Sequence, residues 1–296
     1  MDDSGRSAER WISLATNVVA PVTVISALLF YFGYASSRAM YEYFGVDVDT
    51  IGLSTQDYIM RSPQPLLVPL VGLLILGVLS LWLHAAVLDQ LAKDSRRARV
   101  GAAARVAAVA GGALLITGVV LVVLYPAVRR WGPYGVVVPL CVATGIVLLA
   151  YGRHVAAIAN PRANESSNQS LRSLRRLATA LVVGAVAASV FWAAGTLAQW
   201  SGRGQAEELA DRLHELPSVI LDTKERLYVR NPLIEEAVLS LEEGQTFRYR
   251  YRNLRLLIHG GGRVFLVPAE WSTSGTTLLV PLDGGIRIQF QFENPG

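Results

Sequence analysis

The chain has 296 residues, of which 52% are hydrophobic and 17% charged, with a mean hydropathy of +0.37 and a net charge of +4. Soluble domains carry about 25% charged residues, so this composition points to a membrane protein. The small, scattered positive balance excludes a nucleic-acid surface, and Cys141, the single cysteine, excludes an intramolecular disulfide or a cysteine zinc cluster.

Residues 1–10 read as a cytoplasmic N-terminus. Asp2, Asp3 and Glu9 offset Arg6 and Arg10. The apolar run that follows is too long for the core of a cleaved signal, so it is expected to be retained as a first span. That span, 11–34, is uncharged, with Trp11 at one end and Tyr31 and Tyr34 at the other, as interfacial aromatic belts require. Asn17 and Pro21 are its only awkward residues, and membrane helices tolerate both.

Residues 35–64 form an outer amphipathic connector. The stretch 38–45 reads as a short helix with an aromatic face, and 46–53 as a turn-rich segment. Ser54 then resembles an N-cap, with Asp57 three residues on as an imperfect capping box. Pro63 is expected to close that helix. Tyr41, Tyr43, Phe44, Tyr58 and Met60 suit the headgroup layer. Glu42, Asp47, Asp49 and Asp57 lend acidic character; the calcium-loop reading of DVDTIG lacks the terminal bidentate Glu, which favours solvated turn residues and no metal.

Four further spans are predicted at 66–88, 106–128, 131–152 and 177–200. A basic loop at 89–105, a tight turn at Arg129 and Arg130, and a second basic loop at 153–176 separate them. Within the latter, 160–170 is disordered by composition. Ala107 with Gly111, and Ala180, Gly184 and Ala188, are small residues spaced by four, the spacing that lets membrane helices approach closely. His84 lies near a span end with no acidic partner in the spans and reads as an interfacial histidine rather than a proton relay.

Orientation follows from the basic residues. The N-terminus and the loops after spans two and four together hold twelve, including Arg96, Arg97, Arg99, Arg172, Arg175 and Arg176. The opposite side holds four: Arg38, Arg61, Arg129 and Arg130. The richer side is cytoplasmic, so the N-terminus is inside and residues 203–296 are extracytoplasmic, in the cell membrane.

That last segment begins with a helix-like linker, 205–216, ended by Pro217. Strand patterns follow at 219–221 and 227–229, around a turn-like 222–224. Phe247, Tyr249 and Tyr251 alternate with Arg248, Arg250 and Arg252, a period of two. Apolar runs at 254–258 and 264–267 flank HGGGR, a strong hairpin signal. A strand at 278–280 and an alternating one from Ile286 complete a small, mostly antiparallel sheet with one apolar face. The fold class is therefore a membrane α-helical bundle of five transmembrane helices with a small C-terminal extracytoplasmic β-rich domain.

A P-loop, a nucleophile elbow, a zinc-protease motif and a dinucleotide fingerprint are all missing from the sequence. The best candidate binding surface is Arg248, Arg250 and Arg252, which could meet anionic lipid or envelope polymers, or pair with Glu235, Glu236, Glu242 or Glu243. Trp271 reads either as a cap on the apolar face of the sheet or as a ligand-stacking ring.

The stretches YFGVDVDTIGLSTQDYIMRS (43–62) and FRYRYRNLRLLIHGGGRVFLVP (247–268) resemble uncharacterised actinobacterial multi-pass membrane proteins. The resemblance covers most of the chain and implies no activity. The expectation is a non-enzymatic protein without cofactor, presenting its β-domain for sensing, binding or scaffolding at the cell envelope. Its expected partners are the lipid bilayer, an envelope component or another membrane protein. The alternative is a transporter or channel subunit, which the Pro and Gly interruptions at Pro69, Gly72, Pro126 and Pro139 favour and the absence of charge within the spans opposes.

Overall fold

The computed structural model describes residues 19–159, 171–240, 244–272 and 275–291. In chain order the helices among them are α1 (Ala20–Tyr43), α2 (Val48–Ile51), α3 (Thr55–Arg61), α4 (Pro63–Ala92), α5 (Asp94–Val123), α6 (Tyr125–Val128), α7 (Tyr134–Ala159) and α8 (Leu171–Asp211). The chain divides into two compact units. One is Leu66–Leu197; the other is assembled from both ends, Met1–Pro65 and Ala198–Gly296.

Four helices are long and apolar enough to cross a membrane: Pro63–Ala92, Ser95–Val123, Tyr134–Ala159 and Arg176–Asp211. The first third of the remaining predicted span, residues 11–18 with Trp11 and Asn17, lies outside the described residues. So do the acidic and basic residues of 1–10, the polar stretch 160–170, and Glu242 and Glu243. α4 is apolar on all sides, and none of its most apolar window is buried within the chain. A helix of that kind needs hydrocarbon around it.

Helix ends differ from the expected loops. α4 runs to Ala92 and α5 begins at Asp94, so the basic loop at 89–105 is in fact two helix ends joined at Lys93. The helix begun at Ser54 ends at Arg61, just before Pro63 as expected, and Pro63 itself stands at the first position of α4, where its missing N–H costs nothing. α4 and α7 continue through Pro69 and Pro139. α8 extends through 41 residues, so the fifth predicted span and the linker after it are one helix, about 60 Å long.

The close packing of small residues is present, but at a different spacing. On α5 it involves Ala104, Ala108, Gly111, Leu115 and Gly118, and on α7 Val142, Gly145, Leu149 and Gly152. These alternate by four and three, the seven-residue period of a left-handed helix pair. A Cβ added at Gly145 would stand 2.7 Å from the Leu115 nitrogen, and one at Gly111 2.6 Å from that of Leu149. At Gly184 a Cβ would meet nothing within 4 Å, so the Ala180–Gly184–Ala188 stripe makes no such contact among the described residues. Leu91, Ala104, Val155 and Ala159 form a buried cluster in this unit.

In the other unit, α1 extends the first predicted span without a break as far as Tyr43. Gly45, at φ +71°, ends it, with Gly45 N–H donating to the Glu42 carbonyl and Val46 N–H to that of Tyr41. This is a Schellman cap, which requires the left-handed residue that glycine supplies. α3 opens on a complete capping box: Asp57 N–H donates to Ser54 Oγ, and Ser54 N–H to the Asp57 carboxylate.

Six antiparallel strands follow: β1 (Ser218–Thr223), β2 (Glu235–Val238), β3 (Tyr249–Gly260), β4 (Arg263–Pro268), β5 (Leu278–Pro281) and β6 (Ile286–Gln291). Their order is β5-β4-β3-β1-β6, with β2 beside the first half of β3. β2 is unexpected from its sequence because Glu235 and Glu236 are poor strand formers. The apolar run 227–229 is not a strand, and Asp222, expected in a turn, lies within β1.

β3 carries two register shifts, one near Asn253, at φ +64°, and one near Leu257. Each bulge re-aims the side chains beyond it. Tyr251 and Leu254 therefore enter one core together with Val219, Leu221, Val264, Leu266 and Val280, while Ile258 enters another. Val280 of β5 and Ile288 of β6 reach the same first core from opposite ends of the sheet, which curls around it.

Candidate functional site

The second face of the sheet is covered by the connector. Ile258 and Phe265 pack with Tyr41, Val46, Val48, Ile51 and Tyr58. Val267 packs with Phe44, Ala206 and Leu213. Tyr41, Phe44 and Tyr58 are therefore buried against protein, whereas Met60 is 73% exposed and Tyr43 half-buried. Burial pushes the Tyr41 and Tyr58 phenols up from their ordinary values. Arg61 donates to the Tyr41 hydroxyl at 2.6 Å, and Phe30, Tyr34 and Tyr58 meet ring to ring.

The three aspartates of the connector are structural. Asp47 caps α2 by accepting from Asp49 N–H, Asp49 accepts from the Tyr34 hydroxyl at 3.3 Å, and Asp57 belongs to the capping box. Among the described residues no group of three or more His, Cys, Asp or Glu could hold a metal ion.

The glycine hairpin also serves packing. Gly261 and Gly262, at φ +55° and +71°, form the two-residue turn between β3 and β4. Gly260 lies so close to α2 that a Cβ would be 2.5 Å from the Ile51 carbonyl oxygen. Arg263 donates to the Thr50 carbonyl at 3.4 Å, and Thr277 Oγ1 to that of Phe44 at 2.6 Å. α1 meets α3 where Gly33 touches the Tyr58 backbone, and meets α8 where Gly202 touches that of Ser36.

The arginine row separates into three fates. Arg250 stands opposite Asp222 in register and donates to both of its carboxylate oxygens, at 2.8 and 3.0 Å. Arg287, opposite Asp222 on the other flank, donates at 2.6 Å. Asp222 is fully buried, and the Arg250 hydrogen bond foremost, with help from Arg287, holds its carboxyl below the usual range against the effect of burial. Arg250 is thus a structural residue and not a free ligand contact. Its partner is Asp222, a residue that strand periodicity alone leaves unmarked because it lies 28 positions away. Arg248 and Arg252 are exposed, the latter in register with Glu235.

Trp271 packs edge-on against Phe44, with ring centroids 4.9 Å apart, as a cap on the sheet. It also lines a cavity of about 1020 Å3 together with Glu42, Tyr43, Trp200, Arg203 and Asp211. Sequence reading missed this cavity because its walls come from three separated stretches of chain.

No protein-family model, curated protein or solved structure matches the chain.

Within the apolar unit, His84 Nδ1 lies 2.9 Å from the Tyr151 hydroxyl. Of the arginines counted for orientation in the sequence, Arg97 donates to the Ile158 carbonyl near the end of α7, where a cation complements the helix dipole. Arg96, Arg99 and Arg176 are exposed; the side chains of Arg172 and Arg175 lie outside the described residues.

Proposed function

We propose that the chain is a non-enzymatic integral membrane protein that presents its end-assembled unit outside the cell membrane for binding, sensing or scaffolding at the envelope. Five spans carry it, the first being α1 with the residues before it. The observation that supports this reading is the contrast between the two units. One is built of helices whose apolar side chains face outward, Leu81 and Val109 being 73% and 75% exposed. The other has two packed cores, a buried ion-pair triad and capped helices, the organisation of a domain that works in water. The arginine bias supports the side assigned to it. Transport is the weaker reading, since α4 and α7 pass through Pro69 and Pro139 unbroken and offer no discontinuous helix for a substrate.

Reporter fusions test the orientation. A fusion after Gln205 is expected to be active only in the extracytoplasmic format, and one within 164–170 only in the cytoplasmic format. Binding is tested by sedimenting the purified full chain with isolated envelope fragments. Cytoplasmic activity of the first fusion, or no co-sedimentation with any envelope fraction, overturns the reading.

A further inference from the structure

The cavity of about 1020 Å3 has a specific chemistry. The last turn of α1 supplies Glu42 and Tyr43, the outer part of α8 supplies Trp200, Arg203 and Asp211, and the segment after β4 supplies Trp271. All six belong to the end-assembled unit. Glu42 and Asp211 are both solvent-accessible, and neither makes an ion pair among the described residues. The Arg203 guanidinium is engaged by Glu207 at 3.3 Å, which offsets its charge. Arg38, one turn before Glu42, is a further cation in this region, and it lines a smaller hollow with Glu42, Asp47 and Asp49. The cavity is therefore negative on balance.

Its aromatic lining is as informative as its charge. Trp200 is 45% exposed, so its indole is only partly used in packing. Trp271 leans on Phe44 and still contributes to the wall. Indole and phenol rings attract cations through their negative faces, and carboxylates add a coulombic attraction. An anion would meet two carboxylates here, and a neutral apolar molecule would gain nothing from them.

We propose that this cavity binds an organic ammonium group, held between Glu42 and Asp211 and flanked by Trp200, Tyr43 and Trp271. The group is either the headgroup of a lipid or a free solute, since the recognising chemistry is the same. The proposal rests on the reading of this unit as a binding domain and supplies its ligand class; it does not depend on which side of the membrane the unit faces.

The test uses the full chain in maltoside micelles, titrated calorimetrically with tetramethylammonium chloride and, as a control, sodium chloride. Saturable binding of tetramethylammonium alone is expected. Glu42→Gln and Asp211→Asn should each weaken it about tenfold, and Trp200→Leu similarly, with an unchanged melting temperature. Arg203→Gln should leave it equal or tighter. In nanodiscs, phosphatidylcholine that suppresses tetramethylammonium binding where phosphatidylglycerol does not would assign the site to a headgroup. Equal binding in both would assign it to a free solute. Absence of saturable binding in micelles, or unchanged affinity in the Glu42→Gln/Asp211→Asn double variant, overturns the proposal. If envelope co-sedimentation persists in that case, the ligand class fails while the domain's binding role stands.

Discussion

Three strands meet at the Asp222 carboxylate, which ties them together at one buried point. Its two arginines come from β3 and β6, each directly opposite it in register, and the Phe247 ring covers Arg287 at 5.0 Å. Asp222→Asn keeps the shape and removes the charge that both guanidinium groups were placed to meet. Breaking a buried pair from one side is expected to cost roughly 3 kcal/mol, since charges remain without their partner. Thermal unfolding of the full chain in micelles, followed by loss of the β-sheet circular dichroism signal, measures it; a change under ~0.5 kcal/mol, typical of an exposed pair, would contradict the assignment. The pH dependence has a definite sign. The folded state holds the carboxyl below its unfolded value, so as the pH falls the unfolded chain takes up the proton first. The stabilisation is complete above about pH 4 and is lost as acid carries the pH down through the lowered folded value. Asp222→Asn should flatten that acid limb of the stability curve and leave the neutral-to-basic limb parallel to wild type.

Individual elements were legible in the sequence wherever a residue had a local reason for its identity. Ser54 and Asp57 predicted the capping box, HGGGR the hairpin, and the alternation after Phe247 a strand. What lay beyond local reasons was not legible. The bulge at Asn253 joins two apparent strands into one of 12 residues, and β2 forms despite its two glutamates because β3 offers it an edge. Small-residue spacing in the spans misled for a related reason: alanine and glycine are frequent there, and only the opposing helix decides which of them matters. The glycines therefore make discriminating tests. Gly145→Ala and Gly111→Ala force backbone apart and are expected to cost about 1–3 kcal/mol in the melting of the full chain. Gly184→Ala and Gly112→Ala meet nothing within 4 Å and should be neutral. Likewise Gly260→Ala should loosen the hairpin from Ile51, whereas Gly262→Asn keeps the left-handed turn in open space and should be tolerated.

At the scale of the whole molecule, the linear order of the chain conceals a unit that neither end can build alone. Read along the sequence, residues 203–296 are a self-sufficient domain of the size that folds marginally. In the structure, Phe265 and Val267 are buried only because α1, α2, α3 and the end of α8 lie over them. Removing residues 35–62 uncovers that face and leaves Ile258 and Phe265 without the five buried connector side chains that pack on them. Exposed apolar surface of this kind drives association. Residues 203–296 expressed alone are thus expected to aggregate or to show no cooperative melt. A single chain joining residues 35–62 through a flexible Gly/Ser linker to residues 198–296 should melt cooperatively. The decisive measurement is the difference between the two: a stable monomer from 203–296 alone would mean that the connector is merely attached to the sheet. Cooperative melting only in the joined chain would mean that both ends of the protein must be present before the arginine–aspartate triad and the cavity at Trp271 can exist. The apolar helices between the two ends then have a physical task besides anchoring, which is to bring those distant stretches of chain to one place.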